Sequence, residues 1–284
     1  MRLITWNIEH GRANARHRAG AGRARAHVLQ TALNRIADYE PDVVTFQEVD
    51  RFQPRSYFTD QAQLIADTFR SRGFTWSHYV PSIVRLGLVR APGLAVPGAS
   101  WLPSFGNMMV SRSRPRQWKI ADLGRAKLRW RTNGIPLPVP GENRTLLAAR
   151  FGESAVSSPI TVASTHLELQ SAVARSQLNA AWKLTRSVGL PAVLLGDYNL
   201  SLQGTKVAVG AVTAEEPKRA TSDLAVSQPT FPSVNPAYAL DQALCSAGPG
   251  CSLDVVAVST IELDVSDHNA LVVDIEVDDD SHTD

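Results

Sequence analysis

The polar residues that could do chemistry stand where predicted strands run out into loops. Asn7 closes the strand that begins at Arg2, and Glu48 lies in Gln47-Glu48-Val49-Asp50. His166 ends Ser164-Thr165-His166-Leu167, while Asp197 and Asn199 sit in Leu195-Gly196-Asp197-Tyr198-Asn199. Asp241 follows Leu240, and Asp267 with His268 occupies Ser266-Asp267-His268-Asn269. A rigid sheet presents such side chains to a common cleft. Hard divalent cations such as Mg²⁺ take carboxylate, amide and water oxygens, the donor types of Asn7, Glu48 and Asp267. Water attacking a phosphate ester needs an acceptor for its proton and stabilisation of the growing negative charge. Asp197 and Asn199 suit the water, His166 and His268 suit phosphate oxygens, and Asp241 suits the task of orienting His268 and keeping it charged.

Each residue alone has a plainer reading. A Glu after a strand is usually a solvated rim residue, and Gly-Asp-x-Asn is commonly an Asx turn whose side chains bond their own backbone. A lone His after a strand is commonly structural. The weight lies in the set.

The elements that must position the set are short β-rich runs. Arg2–Ile8 and Asp42–Val49 alternate and read as strands. Between them Leu29, Leu33 and Ile36 recur at helical spacing, and Pro41 ends that helix. Further helices are predicted over Asp60–Arg72 and Val173–Val188. Strands are predicted near Asn107–Ser111, Arg144–Phe151, Ile160–His166, Ala192–Leu195, Leu240–Cys245, Leu253–Ser259 and Leu271–Val277. Many strands, few helices and frequent Gly and Pro turns point to an α/β fold, a four-layer sandwich of two packed mixed sheets flanked by helices. Ile83–Phe105 departs from this rhythm. Its Pro92, Pro97 and Pro103 argue against a long helix or central strand, so a long loop is expected.

With these blocks in order, the chain resembles the endonuclease/exonuclease/phosphatase superfamily, through Thr-Trp-Asn, Gln-Glu, Gly-Asn, Thr-His-Leu, Gly-Asp-x-Asn and Ser-Asp-His, between Arg2 and Val277. The resemblance implies the four-layer sandwich and Mg²⁺- or Mn²⁺-dependent hydrolysis of a phosphoester by in-line attack of water. It makes Glu48 the principal metal ligand, with Asn7 beside it and Asp267 near the ion. It makes Asp197 the residue that activates water, Asn199 its orienter, and His268 a phosphate contact paired with Asp241. His166 is similar to an acid or phosphate clamp, and Asn107 in Gly106-Asn107-Met108 to a residue approaching the phosphate. Arg51 and Arg55 resemble candidates for gripping a phosphate or head group beyond the metal, against the reading that each pairs with a nearby carboxylate. Gln242 and Tyr198 replace residues more usual in the family, and Ile83–Phe105 has no assigned counterpart.

The 284 residues read as one catalytic domain over 1–277, followed by an acidic, disordered tail over 278–284. With 29 basic and 27 acidic side chains the net charge is +2; four acids lie in 278–284, so the body carries +6. That is mildly basic, fit for an anionic substrate and short of a nucleic-acid coat protein. No stretch is long and apolar enough for a transmembrane helix. With no apolar signal core at Met1-Arg2-Leu3, a cytoplasmic monomer is expected. Cys245 and Cys251 are read as reduced thiols in preference to a bridge.

Two basic runs bear on the substrate. Arg12, Arg16, Arg18, Arg23 and Arg25 form one; Arg112 to Arg131, interleaved with Trp118 and Trp130, forms the other and is suited to tracking a nucleic-acid backbone. Against them stand Leu86, Leu88, Leu94 and Trp101, suited to a lipid interface. The expected activity is therefore a phosphodiesterase, with a nuclease and a phospholipid or inositol phosphate hydrolase as alternatives, and a non-catalytic binding module as the non-enzyme reading.

Overall fold

The runs that alternate in sequence form strands in the computed structural model, which describes residues 1–14, 23–86, 89–96, 98, 101–127, 129–131, 137–139, 141–152, 159–214, 220 and 222–279. β1 (Arg2–Asn7), α1 (Arg23–Ala37) and β2 (Val43–Arg51) form the opening unit, followed by α2 (Gln61–Arg70), β3 (Trp76–Leu86), β4 (Val89–Pro92) and β5 (Ser104–Ser111). Next come β6 (Gln117–Gly124), the short pair β7 (Arg129–Arg131) and β8 (Leu137–Val139), β9 (Arg144–Phe151), β10 (Ile160–His166), α3 (Ser171–Val188) and β11 (Ala192–Asp197). Then follow α4 (Leu202–Val209), β12 (Val212–Ala214), β13 (Leu224–Val226), β14 (Asp241–Ser246), β15 (Cys251–Ile261) and β16 (Ala270–Asp279).

Two mixed 7-stranded sheets result, one in the order β15-β16-β1-β2-β5-β3-β4 and the other β12-β13-β14-β11-β10-β9-β6. At the centre of each lies a parallel pair joined through a helix: β1 and β2 through α1, β10 and β11 through α3. Strands covered on both faces read as continuous apolar runs, as Leu3-Ile4 and Val43-Val44 do. Leu3, Val43, Met109, Val162, Val193 and Leu195 fill the layer between the sheets. Ile4, Val44 and Phe46 face outward onto Leu29, Leu33 and Ile36 of α1 and Ile65 and Phe69 of α2. On the far side Ala163 and Leu194 pack with Leu178, Ala181 and Trp182 of α3. The result is the four-layer α/β sandwich. No described helix is long and apolar enough to cross a membrane.

Near the functional end the layer between the sheets turns polar. Gln47 Nε2 donates to Thr5 Oγ1 at 3.0 Å within its own sheet and to Ser164 Oγ at 3.2 Å across the gap. Ser82 and Thr145 hydroxyls bond across it at 2.8 Å.

Three expectations change. The Ile83–Phe105 stretch is not one loop, because β3 runs on to Leu86 and pairs with β4 as a hairpin at the sheet edge, and β5 starts at Ser104. Pro92 ends that edge strand, where a missing N–H removes no interior ladder bond. Gly93 then lies so close to β3 that a Cβ would stand 2.1 Å from the Pro81 carbonyl oxygen. Asp278 and Asp279 of the expected tail belong to β16, paired with Ser252 and Cys251, and the remainder lies outside the described residues. The strands β3, β4, β6, β7, β8, β12 and β13 and the helix α4 have no counterpart in the sequence reading. Cys245 and Cys251 are free buried thiols in strands of different sheets.

Candidate active site

The two parallel pairs end at the same place. Register sets Asn7, the last residue of β1, beside Gln47 of β2, and His166 beside Asp197 at the end of β10 and β11. Antiparallel pairing of β14 with β11 sets Asp241 opposite Asp197. Asp267 and His268 lie in the turn leading into β16, which pairs with β1. Ser266, in the left-handed region at φ 76°, pins that turn: its hydroxyl donates to the Asn7 carbonyl at 2.6 Å and accepts from the His268 amide at 3.0 Å. Trp6 Nε1 donates to the His268 carbonyl at 3.1 Å.

One carboxylate oxygen is the meeting point. Asp197 Oδ2 accepts from Asn7 Nδ2 at 3.1 Å and lies 3.5 Å from His166 Nε2 and 3.9 Å from His268 Nε2. Its other oxygen accepts from the Asn199 amide at 3.0 Å, the expected Asx turn, with Asn199 itself left-handed at φ 50°. Burial pushes the Asp197 carboxyl up to about 6, and the nearby Asp241 charge adds to the shift, against the pull of His268. A carboxylate poised there suits proton transfer near neutral pH.

The two histidines are backed by opposite charges. His268 Nδ1 bonds Asp241 Oδ2 at 2.7 Å, and Thr230 Oγ1 donates to the same oxygen at 2.5 Å. Burial disfavours the imidazolium, but Asp241, Asp197 and Asp267 outweigh it and raise His268 to about 10. Its Nε2 is thus a charged donor, 3.9 Å from Asp197 Oδ2 and 3.8 Å from Asp267 Oδ1. His166 Nδ1 instead takes a 3.1 Å hydrogen bond from Nη1 of the buried Arg144.

Glu48 stands where β2 bulges against β5 between Phe46 and Val49, at φ 59°. Burial works against its ionisation, yet the His10 imidazole and the Arg55 guanidinium nearby hold it below the usual carboxylate range. Asp267, nearly half exposed, is pushed up by burial and by the charge of Glu48. Two acids that repel each other, with an amide beside them, are the donor set that a hard divalent cation neutralises, so these residues fit such an ion. Among the described residues no three His, Cys, Asp or Glu side chains already stand at metal-binding spacing.

The remaining candidates lie further back. Asn107 spends its amide N–H on Thr145 of the facing sheet, at 3.2 Å to the carbonyl and 3.3 Å to the hydroxyl. Asn199 Nδ2 donates to the Leu167 carbonyl at 3.0 Å. Arg51 pairs with Asp60, and Arg55 forms a two-pronged pair with Asp50 at 2.7 and 2.9 Å. Both arginines thus take the carboxylate-paired arrangement. Arg112 donates to the carbonyls of Pro41 and Arg72 and covers Phe74, while Trp118 packs on Trp76 and His78, so part of that basic run is structural. Arg125 and Lys127 are exposed. Arg12 pairs with Glu9; Arg16, Arg18 and Leu88 lie outside the described residues, as do the side chains of Arg23, Arg25, Leu86 and Trp130. Trp101 is 79% exposed. Sequence reasoning missed Arg144, Thr230 and His10, for which only spatial neighbours give a signal.

The family described as the Endonuclease/Exonuclease/phosphatase family matches residues 4–268. Similar solved structures include an endonuclease/exonuclease/phosphatase from Beutenbergia cavernae, 21% identical over 97% of this chain and 71% of that one, with a TM-score of 0.59. A mannosyl-6-phosphatase from Bacteroides thetaiotaomicron is 14% identical over 97% of this chain and 99% of that one, with a TM-score of 0.57. D. rerio TDP2 complexed with single-strand DNA product is 17% identical over 97% and 98%, with a TM-score of 0.56. At these identities the likeness is one of fold. No curated protein matches the chain.

Proposed function

The chain belongs to the endonuclease/exonuclease/phosphatase family, and from that premise we propose that it is a phosphodiesterase dependent on Mg²⁺ or Mn²⁺ that hydrolyses its substrate by in-line attack of water. The observation that carries this reading is the meeting of Asn7, His166 and His268 at one oxygen of the buried Asp197, each brought there by a different strand end.

Asn7, Glu48 and Asp267 are the residues that would hold the cation, which when bound supplies charge to a phosphate oxygen and to the leaving oxygen. Asp197 takes the proton of the attacking water, and Asn199, fixed by its Asx turn, orients that water. His268, kept charged by Asp241, donates from Nε2 to a phosphate oxygen. His166 donates from Nε2 as a neutral clamp. No side chain is assigned as a covalent nucleophile; the rate comes from positioning and electrostatics. A phosphodiester rather than a monoester is proposed because Arg51 and Arg55, the candidates for gripping a dianion, are already paired with carboxylates.

The test is a screen of purified protein against bis(p-nitrophenyl) phosphate, p-nitrophenyl phosphate, plasmid DNA, single-stranded DNA, RNA and sphingomyelin vesicles, each with Mg²⁺, Mn²⁺ or chelator. Metal-dependent turnover of diesters, abolished in Asp197→Asn, is the expected result. Turnover of monoesters alone would replace the diesterase reading with a phosphatase.

A further inference from the structure

We propose that His10 is a direct ligand of the divalent cation held at Glu48, adding one imidazole nitrogen to a site otherwise made of oxygens. The proposal rests on the metal-dependent reading above and goes beyond it by naming a ligand outside the Asn7, Glu48 and Asp267 set.

The first observation is a ring nitrogen that faces Glu48 without a hydrogen bond. His10 Nδ1 is buried and has no hydrogen-bond partner among the described residues. It lies 3.7 Å from Glu48 Oε2, beyond hydrogen-bond reach. Two atoms bound to one ion at about 2.1–2.2 Å each stand roughly 3 to 3.7 Å apart, so the spacing suits co-ligands.

The second observation is where the backbone departs from its easy conformations. Glu9 and His10 are consecutive left-handed residues, at φ 42° and 47°, and Glu48 facing them is left-handed at φ 59°. Side-chain-bearing residues stay there only when their surroundings over-determine the conformation, and such outliers cluster at ligand clamps. Here the surroundings do. The Glu9 amide donates to Asn7 Oδ1 at 3.0 Å, and the Arg12 amide to the Glu9 carbonyl at 3.0 Å.

The third observation is a tie between the two sides of the pair. Gln61 is buried, and its Nε2 donates to the His10 carbonyl at 2.7 Å while its Oε1 accepts from the Asp50 amide at 2.9 Å. One side chain therefore fixes the turn of His10 against the bulged part of β2 that carries Glu48. Gly11 admits it: at φ 71°, a Cβ there would stand 2.7 Å from Gln61 Nε2. Fixing ligands through groups behind them is how metal sites are held to geometry.

An imidazole donor suits transition ions better than Mg²⁺. The site should therefore prefer Mn²⁺, and His10 should be the source of that preference. The experiment uses the full chain loaded with Mn²⁺ and electron spin-echo modulation to detect nitrogen bound to the ion. Wild-type protein should show ¹⁴N modulation, His268→Gln should retain it, and His10→Gln should lose it. Calorimetry should find Mn²⁺ binding at least tenfold weaker in His10→Gln, within or above the roughly 10–100-fold that loss of a supporting group costs. The gap between Mn²⁺ and Mg²⁺ affinities should narrow in the same variant. Near-UV circular dichroism of the variants should overlay the wild type; if His10→Gln does not, His10→Asn serves in its place. Bound Mn²⁺ without ¹⁴N modulation, still weakened by Glu48→Gln, would overturn the His10 assignment and leave the metal reading standing. Failure to bind Mn²⁺ at all, or binding indifferent to Glu48→Gln, would overturn both.

Discussion

Arg144 donates a hydrogen bond from Nη1 to Nδ1 of His166 at 3.1 Å. A guanidinium has no acceptor, so Nδ1 must present its lone pair and the ring proton must sit on Nε2. His166 is thereby fixed as a neutral donor toward Asp197 Oδ2, while His268 on the other side is a charged one. A ring with its proton on Nε2 offers a hydrogen bond there rather than a lone pair, which fits the donor role proposed for His166 and not that of a general base.

Arg144→Lys keeps a positive charge but loses the planar fork that reaches the ring. It should lower kcat by about tenfold and leave KM within a factor of about three. Long-range ¹⁵N spectra should show His166 passing from one tautomer to a mixture. An unchanged tautomer with unchanged kcat would remove Arg144 from the mechanism.

The pair of His268 and Asp241 should also appear in stability. Because the folded pKa of His268 is raised to about 10 from 6.5, its contribution is complete below about pH 6.5 and is lost as pH rises through 10. Urea melts in chelator should therefore show this contribution draining between those limits in the wild type. In Asp241→Asn, which removes the counter-charge, the same window should be flatter. Parallel profiles would mean that His268 titrates normally.

Asp197→Asn preserves shape and removes the proton acceptor, so it should cost on the order of 10²–10⁴ in kcat with little change in KM. Glu48→Gln should instead raise the Mg²⁺ or Mn²⁺ concentration needed for half-maximal rate. Titrating the metal against rate for both variants separates the roles, and exchange of the two phenotypes would reverse the assignment.

Burial pushes the Cys245 thiol up to about 12, and Cys251 is buried as well. Neither should react with a disulfide reagent within minutes in native protein, while both should titrate in urea. Fast native labelling of either would show that the strand carrying it opens.

Much of this was legible in the sequence. Arg144–Phe151 and Ile160–His166 are found at their true limits because their apolar runs are bounded by turns, and α3 because Leu178, Ala181 and Trp182 recur at helical spacing. β6 escaped notice because Gln117–Gly124 is an edge strand exposed along much of its length, without the alternation of a half-buried one. α4 is short and carries Gly204 inside it. Asn7, His166, Asp197, Asp241 and His268 could be grouped because each opens, closes or precedes a strand. His10 and Arg144 could not, since their importance lies in a left-handed turn and in a neighbour 22 residues away on the adjacent strand.

The polar seam between the sheets has a mechanical meaning. Two apolar faces in contact resist separation but offer little directional resistance to sliding. Gln47 with Ser164, and Ser82 with Thr145, supply directional bonds at the one end where sliding would matter. A displacement of about 1 Å there would part the donors of one sheet from the carboxylate of the other, enough to cost roughly 10²-fold in rate. Shear stiffness is thus concentrated at the catalytic end. Gln47→Leu, though volume-conserving and apolar, should leave the sandwich folded while allowing its halves to drift out of alignment.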